Sequence, residues 1–165
     1  MGLTDEQKLN YYKNKELAKQ LILQDATEEG HIVYGATAIN AQVGKVLQKQ
    51  TEDVDIMVKD SKKEAEQMEK KLDKQYGGDY FRVEKAKYPL TYKVKSNVTN
   101  KTVVDYTKKR RVPRIVNVLG TRYADLKSIK RTINKTLKDE KQSFRWDKDR
   151  ETLQRIKLQE KQLDW

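Results

Sequence analysis

The chain has 165 residues, of which 37% are charged and 36% are hydrophobic, and its formal net charge at pH 7 is +11. The absence of cysteine excludes disulfide bonds and thiolate zinc sites. No apolar run approaches the roughly 18 residues that a membrane-spanning helix needs, and the N-terminus lacks the apolar core of a signal peptide. We therefore expect a cytoplasmic protein with no membrane contact, built as one domain or as a small domain with a helical appendage.

The first half of the chain alternates helical and strand patterns. Residues 4–24 predict a helix, which Thr4 or Asp5 caps. The short apolar run at residues 31–35 predicts a strand. A second helix follows, and its apolar face consists of Ile39, Val43, Val46 and Leu47. Residues 51–58 then alternate strictly, which predicts a strand with one aliphatic face made of Val54, Ile56 and Val58.

The next predicted elements are one helix and three strands. Ser61 and Glu64 form a capping-box pattern for a helix that Gly77 and Gly78 end. Three strand-like stretches follow at residues 80–86, 90–96 and 102–106. A turn-like segment joins the last two, so we predict that they are antiparallel neighbours.

After Pro113 the pattern becomes helical. Two apolar stripes predict a C-terminal pair of helices, the first with Leu126, Ile129, Ile133 and Leu137 and the second with Trp146, Leu153 and Ile156. The predicted fold is α+β (mixed α/β), a small mixed sheet flanked by helices. We expect a core in residues 1–112 and a helical extension in residues 113–165 that packs on this core.

Two acids interrupt the apolar strand at residues 51–58. Asp53 and Asp55 lie at positions i and i+2, so their side chains leave the same face with Cβ atoms roughly 6–7 Å apart. A divalent cation between them would relieve their repulsion, and Asp105 in another apolar strand would complete a carboxylate set for Mg²⁺ or Mn²⁺. The pair also occurs in metal-dependent glycosyltransferases, and two solvated acids on an exposed sheet face are the simplest alternative.

Small residues follow the predicted strand at residues 31–35. Gly35, Ala36 and Thr37 open the next helix, so backbone N–H groups and the Thr37 hydroxyl would meet at a helix N-terminus. Such an arrangement is a natural cradle for a triphosphate. His31, the only histidine, begins the strand, and we predict a structural role for it.

The order of these motifs resembles the DNA polymerase beta-type nucleotidyltransferase superfamily. The relevant stretches are VYGATAIN, TEDVDIMV and VVDY, which look most like the poly(A)-polymerase-like nucleotidyltransferases of large DNA viruses. Two later stretches, VPRIVNVLGTRYADLKSIKRTI and FRWDKDRETLQRI, resemble the nucleotidyltransferase toxins of abortive-infection systems. The family usually has Gly-Gly or Gly-Ser where this chain has Gly35-Ala36.

The resemblance implies a role for each matched residue. The metal-binding and catalytic residues would be Asp53, Asp55 and Asp105, with Asp105 at the metal next to the attacking hydroxyl. Gly35 and Thr37 would hold the β- and γ-phosphates of a nucleoside triphosphate. The full set of implied nucleotide-binding residues is Gly35, Ala36, Thr37, Lys127, Lys130 and Lys148.

The positive net charge favours a nucleic-acid partner, because a basic balance of this size attracts phosphate backbones through counterion release. A lysine-rich surface without a specific partner is the alternative. The charge is densest just after Asp105, and we predict that the nucleic-acid-binding residues are Lys108, Lys109, Arg110, Arg111 and Arg114.

Together these features predict an enzyme that transfers a nucleoside monophosphate from an NTP to an acceptor hydroxyl and releases pyrophosphate. The basic run next to Asp105 favours an RNA or tRNA 3′ end as the acceptor, and processive extension would need a protein partner. Two alternatives stay open: an inactive homologue that only binds nucleic acid, and a nucleotidyltransferase toxin that modifies tRNA or protein.

Overall fold

The computed structural model describes residues 2–163 of the chain. Its helices are α1 (Asp5–Lys13), α2 (Lys15–Glu29), α3 (Gly35–Gln42), α4 (Ser61–Tyr76), α5 (Leu126–Thr136) and α6 (Trp146–Leu163). Its strands are β1 (Ile32–Tyr34), β2 (Val54–Val58), β3 (Phe81–Lys85), β4 (Thr91–Ser96), β5 (Thr102–Lys108), β6 (Ile115–Val118) and β7 (Thr121–Ala124). No helix in the described residues is long and apolar enough to cross a membrane.

The strands form one open mixed sheet in the order β3-β4-β5-β2-β1-β7-β6. Strand β2 pairs in parallel with β5 and antiparallel with β1, and β1 pairs in parallel with β7. The remaining neighbours are antiparallel, including the predicted pair β4 and β5. The α+β prediction is therefore confirmed, and the sheet continues past residue 112 into the segment that the sequence assigned to the helical extension.

Each face of the sheet has its own apolar core. Helices α1, α2 and α4 cover one face, which we call the α4 face, and its core includes Ile22, Val33, Ile56 and Leu72. Helices α3, α5 and α6 cover the other face, which we call the α3 face, and its core includes Ile39, Ile129 and Ile156. The aliphatic alternation predicted for residues 54–58 faces α4, because Val54, Ile56 and Val58 are all buried there.

The single helix predicted for residues 4–24 is in fact two helices. The helical structure is interrupted at Asn14, whose side-chain amide donates to the carbonyl of Asn10. The Tyr76 hydroxyl donates to the Asn14 carbonyl at 2.7 Å and accepts from the Ala18 backbone N–H at 3.0 Å. A side chain from α4 thus satisfies the backbone groups that the break exposes, and only the tertiary structure brings it there.

The second predicted helix ends earlier than its apolar stripe suggested. Helix α3 stops at Gln42, and a short 3₁₀ helix at Lys45–Leu47 leaves the Val46 side chain 93% exposed. The Gly44 N–H donates to the Gln159 side-chain carbonyl at 2.8 Å. This contact with α6 fixes the chain outside a helix at the point where the stripe would have continued.

The predicted cap of α4 is also wrong by one residue. Asp60 is the N-cap, and its carboxylate accepts from the Lys63 N–H at 3.2 Å. The Ser61 hydroxyl instead donates to the Leu90 carbonyl at 2.8 Å. Gly77 ends the helix in the left-handed conformation as predicted.

The segment after Pro113 begins with a hairpin, not with a helix. Strands β6 and β7 are joined by Leu119 and Gly120, which both have positive φ. Two such residues match the twist of a two-residue hairpin, and the Asn117 side chain accepts from the Gly120 N–H at 2.9 Å. Helical structure starts only at Leu126, where the predicted stripe begins.

Candidate active site

The strand register brings the three predicted acids together. Asp55 on β2 pairs directly with Asp105 on β5, and Asp53 immediately precedes β2. Their carboxylates offer oxygen atoms that all lie within 4.8 Å of one another. Because Val54 and Ile56 are buried against the α4 face, the alternation of β2 directs Asp55 to the opposite, α3 face.

Gly35 allows the chain to approach Asp55 closely. Its φ is +70°, and a Cβ at this position would overlap with the Asp55 carboxylate. A glycine is therefore required here for both backbone conformation and space. The contact places the N-terminus of α3 beside the acids, where free N–H groups favour a bound anion.

Thr37 and Thr51 fix the loop that carries Asp53. The buried Thr37 hydroxyl donates to the Asp53 carbonyl at 3.3 Å, and the Thr51 hydroxyl lies 3.1 Å from the same carbonyl. Thr51 also contacts an Asp53 carboxylate oxygen at 3.3 Å. The Thr37 hydroxyl, which was predicted to contact phosphate, thus holds a candidate metal ligand in place.

The three carboxylates repel one another in a partly buried site. Burial raises the pKa of Asp55, and the charges of Asp105 and Asp53 raise it further. Burial and the Asp53 charge likewise raise the pKa of Asp105, whereas Lys93 and Lys148 lower it. Three clustered oxygen ligands with unfavourable mutual charge suit a hard divalent cation such as Mg²⁺ or Mn²⁺.

Helix α6 brings a positive charge to these acids. Lys148 lies in its first turn, and its charge lowers the pKa values of both Asp55 and Asp105. The adjacent Asp149 is buried and pairs with the Arg145 guanidinium through contacts of 3.2–3.4 Å. This ion pair anchors the start of α6.

Lys127 and Lys130 lie elsewhere on the α3 face. They line a groove of about 460 Å³ between α5 and α6, together with Arg131, Lys135 and Lys138. The Lys130 ammonium pairs with Glu160 at 2.7 Å. Glu160 follows Lys148 by twelve residues, about 18 Å along the helix. Of the predicted lysines, Lys148 is therefore the one whose charge acts on the acids.

The basic run after Asp105 lies toward the other end of the sheet. Lys108 pairs with Val58, three residues beyond the pair of Asp55 and Asp105, which is about 10 Å along the strands. Arg114 is close to Asp125, with 3.8 Å between the guanidinium and the carboxylate. The first residue of the basic run, Lys108, is therefore separated from the carboxylates, although it follows Asp105 closely in the sequence.

Two residues near the acids were not predicted as site residues. Lys93 on β4 pairs with Asp105 in the register, and its charge lowers the pKa of that acid. Tyr34 pairs with Asp55, and burial and the Asp55 charge raise its pKa, while its hydroxyl hydrogen-bonds to Thr107 at 2.9 Å. The sequence predicted that β4 pairs with β5, but it did not reveal the register that sets Lys93 opposite Asp105.

The fold is similar to that of a solved viral structure. The chain is similar to Megavirus polyadenylate synthase with a TM-score of 0.74 at 15% sequence identity, over 89% of this chain and 32% of that chain. It thus spans about a third of the Megavirus protein. A weaker similarity, with a TM-score of 0.44 and 17% identity, links 82% of the chain to 58% of JHP933 from Helicobacter pylori. No protein-family model and no curated protein matches the sequence.

Proposed function

We propose that the protein is a metal-dependent nucleotidyltransferase that moves a nucleoside monophosphate from an NTP to an acceptor hydroxyl and releases pyrophosphate. The observation that carries this proposal is the cluster of Asp53, Asp55 and Asp105 beside the N-terminus of α3. A solvated pair of acids would not need the close approach of Gly35 or a third acid in register. The similarity of fold to a polyadenylate synthase agrees with the proposal.

The three carboxylates would hold Mg²⁺ or Mn²⁺. When bound, the metal would activate the attacking hydroxyl and neutralise charge on the departing pyrophosphate. The acceptor oxygen forms a bond to the α-phosphorus as the bond to the bridging oxygen breaks. Following the resemblance, we assign Asp105 to the side of the site where the acceptor hydroxyl loses its proton.

The triphosphate would lie between α3 and α6. The first N–H groups of α3, at Gly35, Ala36 and Thr37, offer donors for phosphate oxygens. Lys148 offers a positive charge from the opposite side. The departure from Gly-Gly or Gly-Ser leaves this grip to backbone groups, because the Thr37 hydroxyl already donates to Asp53.

We further propose an RNA acceptor, either a tRNA or another RNA 3′ end. The net charge of +11 supports binding of a phosphate backbone. The basic groove on α5 lies on the same face as the acids, so it is better placed to guide an acceptor than the run from Lys108 to Arg111. An isolated protein is expected to add few nucleotides, and long tails would need a protein partner.

The test is an incorporation assay with each α-labelled NTP, total tRNA or a short RNA, and Mg²⁺ or Mn²⁺. We expect label in the RNA, abolished in Asp53→Ala/Asp55→Ala and reduced at least tenfold in Lys148→Ala. Lys157→Ala, an exposed lysine on the same helix, is the matched control and should retain activity.

Each other outcome rejects a part of the proposal. Transfer to protein instead of RNA would contradict the acceptor and favour a toxin that modifies protein. Salt-sensitive RNA binding without transfer, indifferent to Asp55→Ala and to Mg²⁺, would favour the inactive nucleic-acid-binding homologue. Equal loss of transfer in Lys148→Ala and Lys157→Ala would contradict the place assigned to the triphosphate.

A further inference from the structure

A second group of metal-ligating side chains lies on the α4 face of the sheet, opposite the catalytic acids. Asp25 extends from α2, Glu64 from α4, and His31 immediately precedes β1. One ligand atom from each lies within 4.8 Å of the others, and His31 Nε2 is 3.8 Å from a Glu64 carboxylate oxygen. Three elements that are distant in sequence thus converge on one point.

Two buried polar atoms next to this cluster have no hydrogen-bond partner among the described residues. One is His31 Nδ1, and the other is the hydroxyl of Tyr106, a side chain with no solvent exposure. Burial raises the pKa of Tyr106, and the charges of Asp25 and Glu64 raise it further, so its hydroxyl lies near these two acids. A buried polar atom without a partner is unfavourable, and a water on a bound ion would give the Tyr106 hydroxyl a hydrogen-bond partner.

We propose that Asp25, His31 and Glu64 form a binding site for a divalent transition-metal ion, with Zn²⁺ as the preferred occupant. One imidazole nitrogen with two carboxylates suits Zn²⁺, whereas Mg²⁺ prefers oxygen ligands only. In a tetrahedral Zn²⁺ site with bonds of about 2.0–2.2 Å, two ligand atoms lie about 3.3–3.6 Å apart. The ligand atoms would therefore have to move together by up to about 1.5 Å, which side-chain rotations can supply.

Nearby lysines compete with the ion without blocking the site. The Lys71 ammonium lies 2.6 Å from one Asp25 carboxylate oxygen, but the Lys71 side chain is 53% exposed and can return to water. A cavity of about 330 Å³ leads to His31 and Glu64 from the surface. Lys59, Lys108 and Lys109 line it, and these residues are exposed, so solvent and salt screen their charges.

A bound ion would link α2 and α4 to His31 just before β1. It would stabilise the folded chain by an amount that rises with the logarithm of the ion concentration once this exceeds the dissociation constant, because the unfolded chain separates the three coordinating residues. This site lies on the opposite face from Asp55, and its existence does not rest on the proposed transferase activity.

The single histidine makes the test direct. The ¹⁵N-labelled variant Asp53→Asn/Asp55→Asn, which lacks two of the catalytic acids, is titrated with ZnCl₂ while the His31 ring nitrogens are followed by NMR. We expect one ring nitrogen to shift and saturate at one equivalent. The thermal midpoint of the same variant should rise in parallel.

Conservative variants distinguish a built site from adventitious binding by an imidazole. Glu64→Gln and Asp25→Asn, each in the same background, should weaken binding at least tenfold. Glu66→Gln, an exposed acid on the same helix, should not change it, and Lys71→Met should strengthen binding by removing the competing ammonium. An unmoved His31 ring at millimolar Zn²⁺, or an undiminished response in Glu64→Gln, would overturn the proposal.

Discussion

The two faces of the central sheet use the same strands for opposite purposes. On the α4 face, Val54, Ile56 and Tyr106 are fully buried among aromatic and aliphatic side chains. On the α3 face, the intervening residues Asp55 and Asp105 carry charges that repel one another. Because strand side chains alternate with period two, a stable core and an electrostatically strained site lie within one residue of each other.

The comparison shows where stability and chemistry are separated. Burial on the α4 face stabilises the register of β2 and β5, and this register holds the acids together on the other face. The strain of three close carboxylates is therefore offset by packing across the sheet, and not within the site itself.

The largest expected effect comes from a substitution in the apolar core on the α4 face. Ile56→Ala removes a fully buried side chain between α4 and the sheet, and we expect a loss of about 2–5 kcal/mol in unfolding free energy. Urea denaturation measures it as a lower midpoint with an unchanged slope. Val46→Ala, at a side chain that is 93% exposed, should stay within about 0.5 kcal/mol of wild type. If Ile56→Ala lowers the unfolding free energy by less than about 1 kcal/mol, packing on the α4 face does not stabilise the sheet as described.

Gly35→Ala tests the contact between α3 and Asp55. The new Cβ would overlap with the carboxylate at a backbone φ of +70°, and we expect a loss of about 1–3 kcal/mol together with weaker Mn²⁺ binding. Calorimetry and denaturation measure the two effects. Gly77→Ala is the control, since its φ is +80° but no atom lies within 4 Å of the added Cβ. Equal effects at both glycines would mean that only backbone strain, and not the approach to Asp55, matters.

Asp55→Asn should stabilise the metal-free protein by about 1–2 kcal/mol near pH 8, because it removes one repelling charge. The raised pKa values of Asp55 and Asp105 mean that the folded state holds protons more tightly than the unfolded state. Their contribution to stability is thus present at low pH and is lost as the pH rises from about 4 through the raised values. Thermal midpoints in EDTA, measured from about pH 4 to about pH 9, report this slope.

Two comparisons isolate the effect of the acids from the rest of the titration. The thermal midpoint should fall more steeply with pH in the wild type than in Asp55→Asn. Added Mn²⁺ should restore stability at high pH in the wild type but not in Asp55→Asn. Asp147→Asn, at a fully exposed acid on α6, should follow the wild type. Stability that rises between about pH 5 and about pH 8 more in the wild type than in Asp55→Asn would contradict the raised pKa values.

The smallest effect concerns the break between α1 and α2. Tyr76→Phe leaves the Ala18 N–H without its hydroxyl acceptor and the Asn14 carbonyl without its donor, and we expect a loss of about 1 kcal/mol. Tyr12→Phe, at an exposed tyrosine on α1, is the control for removal of a hydroxyl. Hydrogen exchange at Ala18 should increase in Tyr76→Phe and stay unchanged in Tyr12→Phe.

Much of the fold could be predicted because its signals are local. The alternation of Val54, Ile56 and Val58 indicated the central strand, and the stripe through Ile129 and Ile133 indicated α5. Two of the wrong predictions, the single helix at residues 4–24 and the length of α3, share one cause, which is that distant groups supplied the missing hydrogen bonds. Tyr76 lies 62 residues from Asn14, and Gln159 lies 115 residues from Gly44. No window of sequence contains both members of either pair.

The candidate site divides in the same way. Asp53, Asp55 and Asp105 could be identified from the sequence, because an acid in an apolar strand is unfavourable unless its charge is compensated. Lys93 was not, since its relevance depends on the register of β4 with β5. The basic run at Lys108 was expected beside the acids, but strand direction takes it about 10 Å away.

By itself, the sequence determined which side chains share a face of each element, because the periods of helices and strands are properties of the local backbone. It also determined that three acids would need compensation wherever the strands placed them. Only the tertiary structure decided which strands flank β2, that Lys148 lies near the acids, and that Asp25, His31 and Glu64 meet on the opposite face. These choices depend on long-range pairing and on packing between helices and sheet, which are set by the whole core rather than by any short segment.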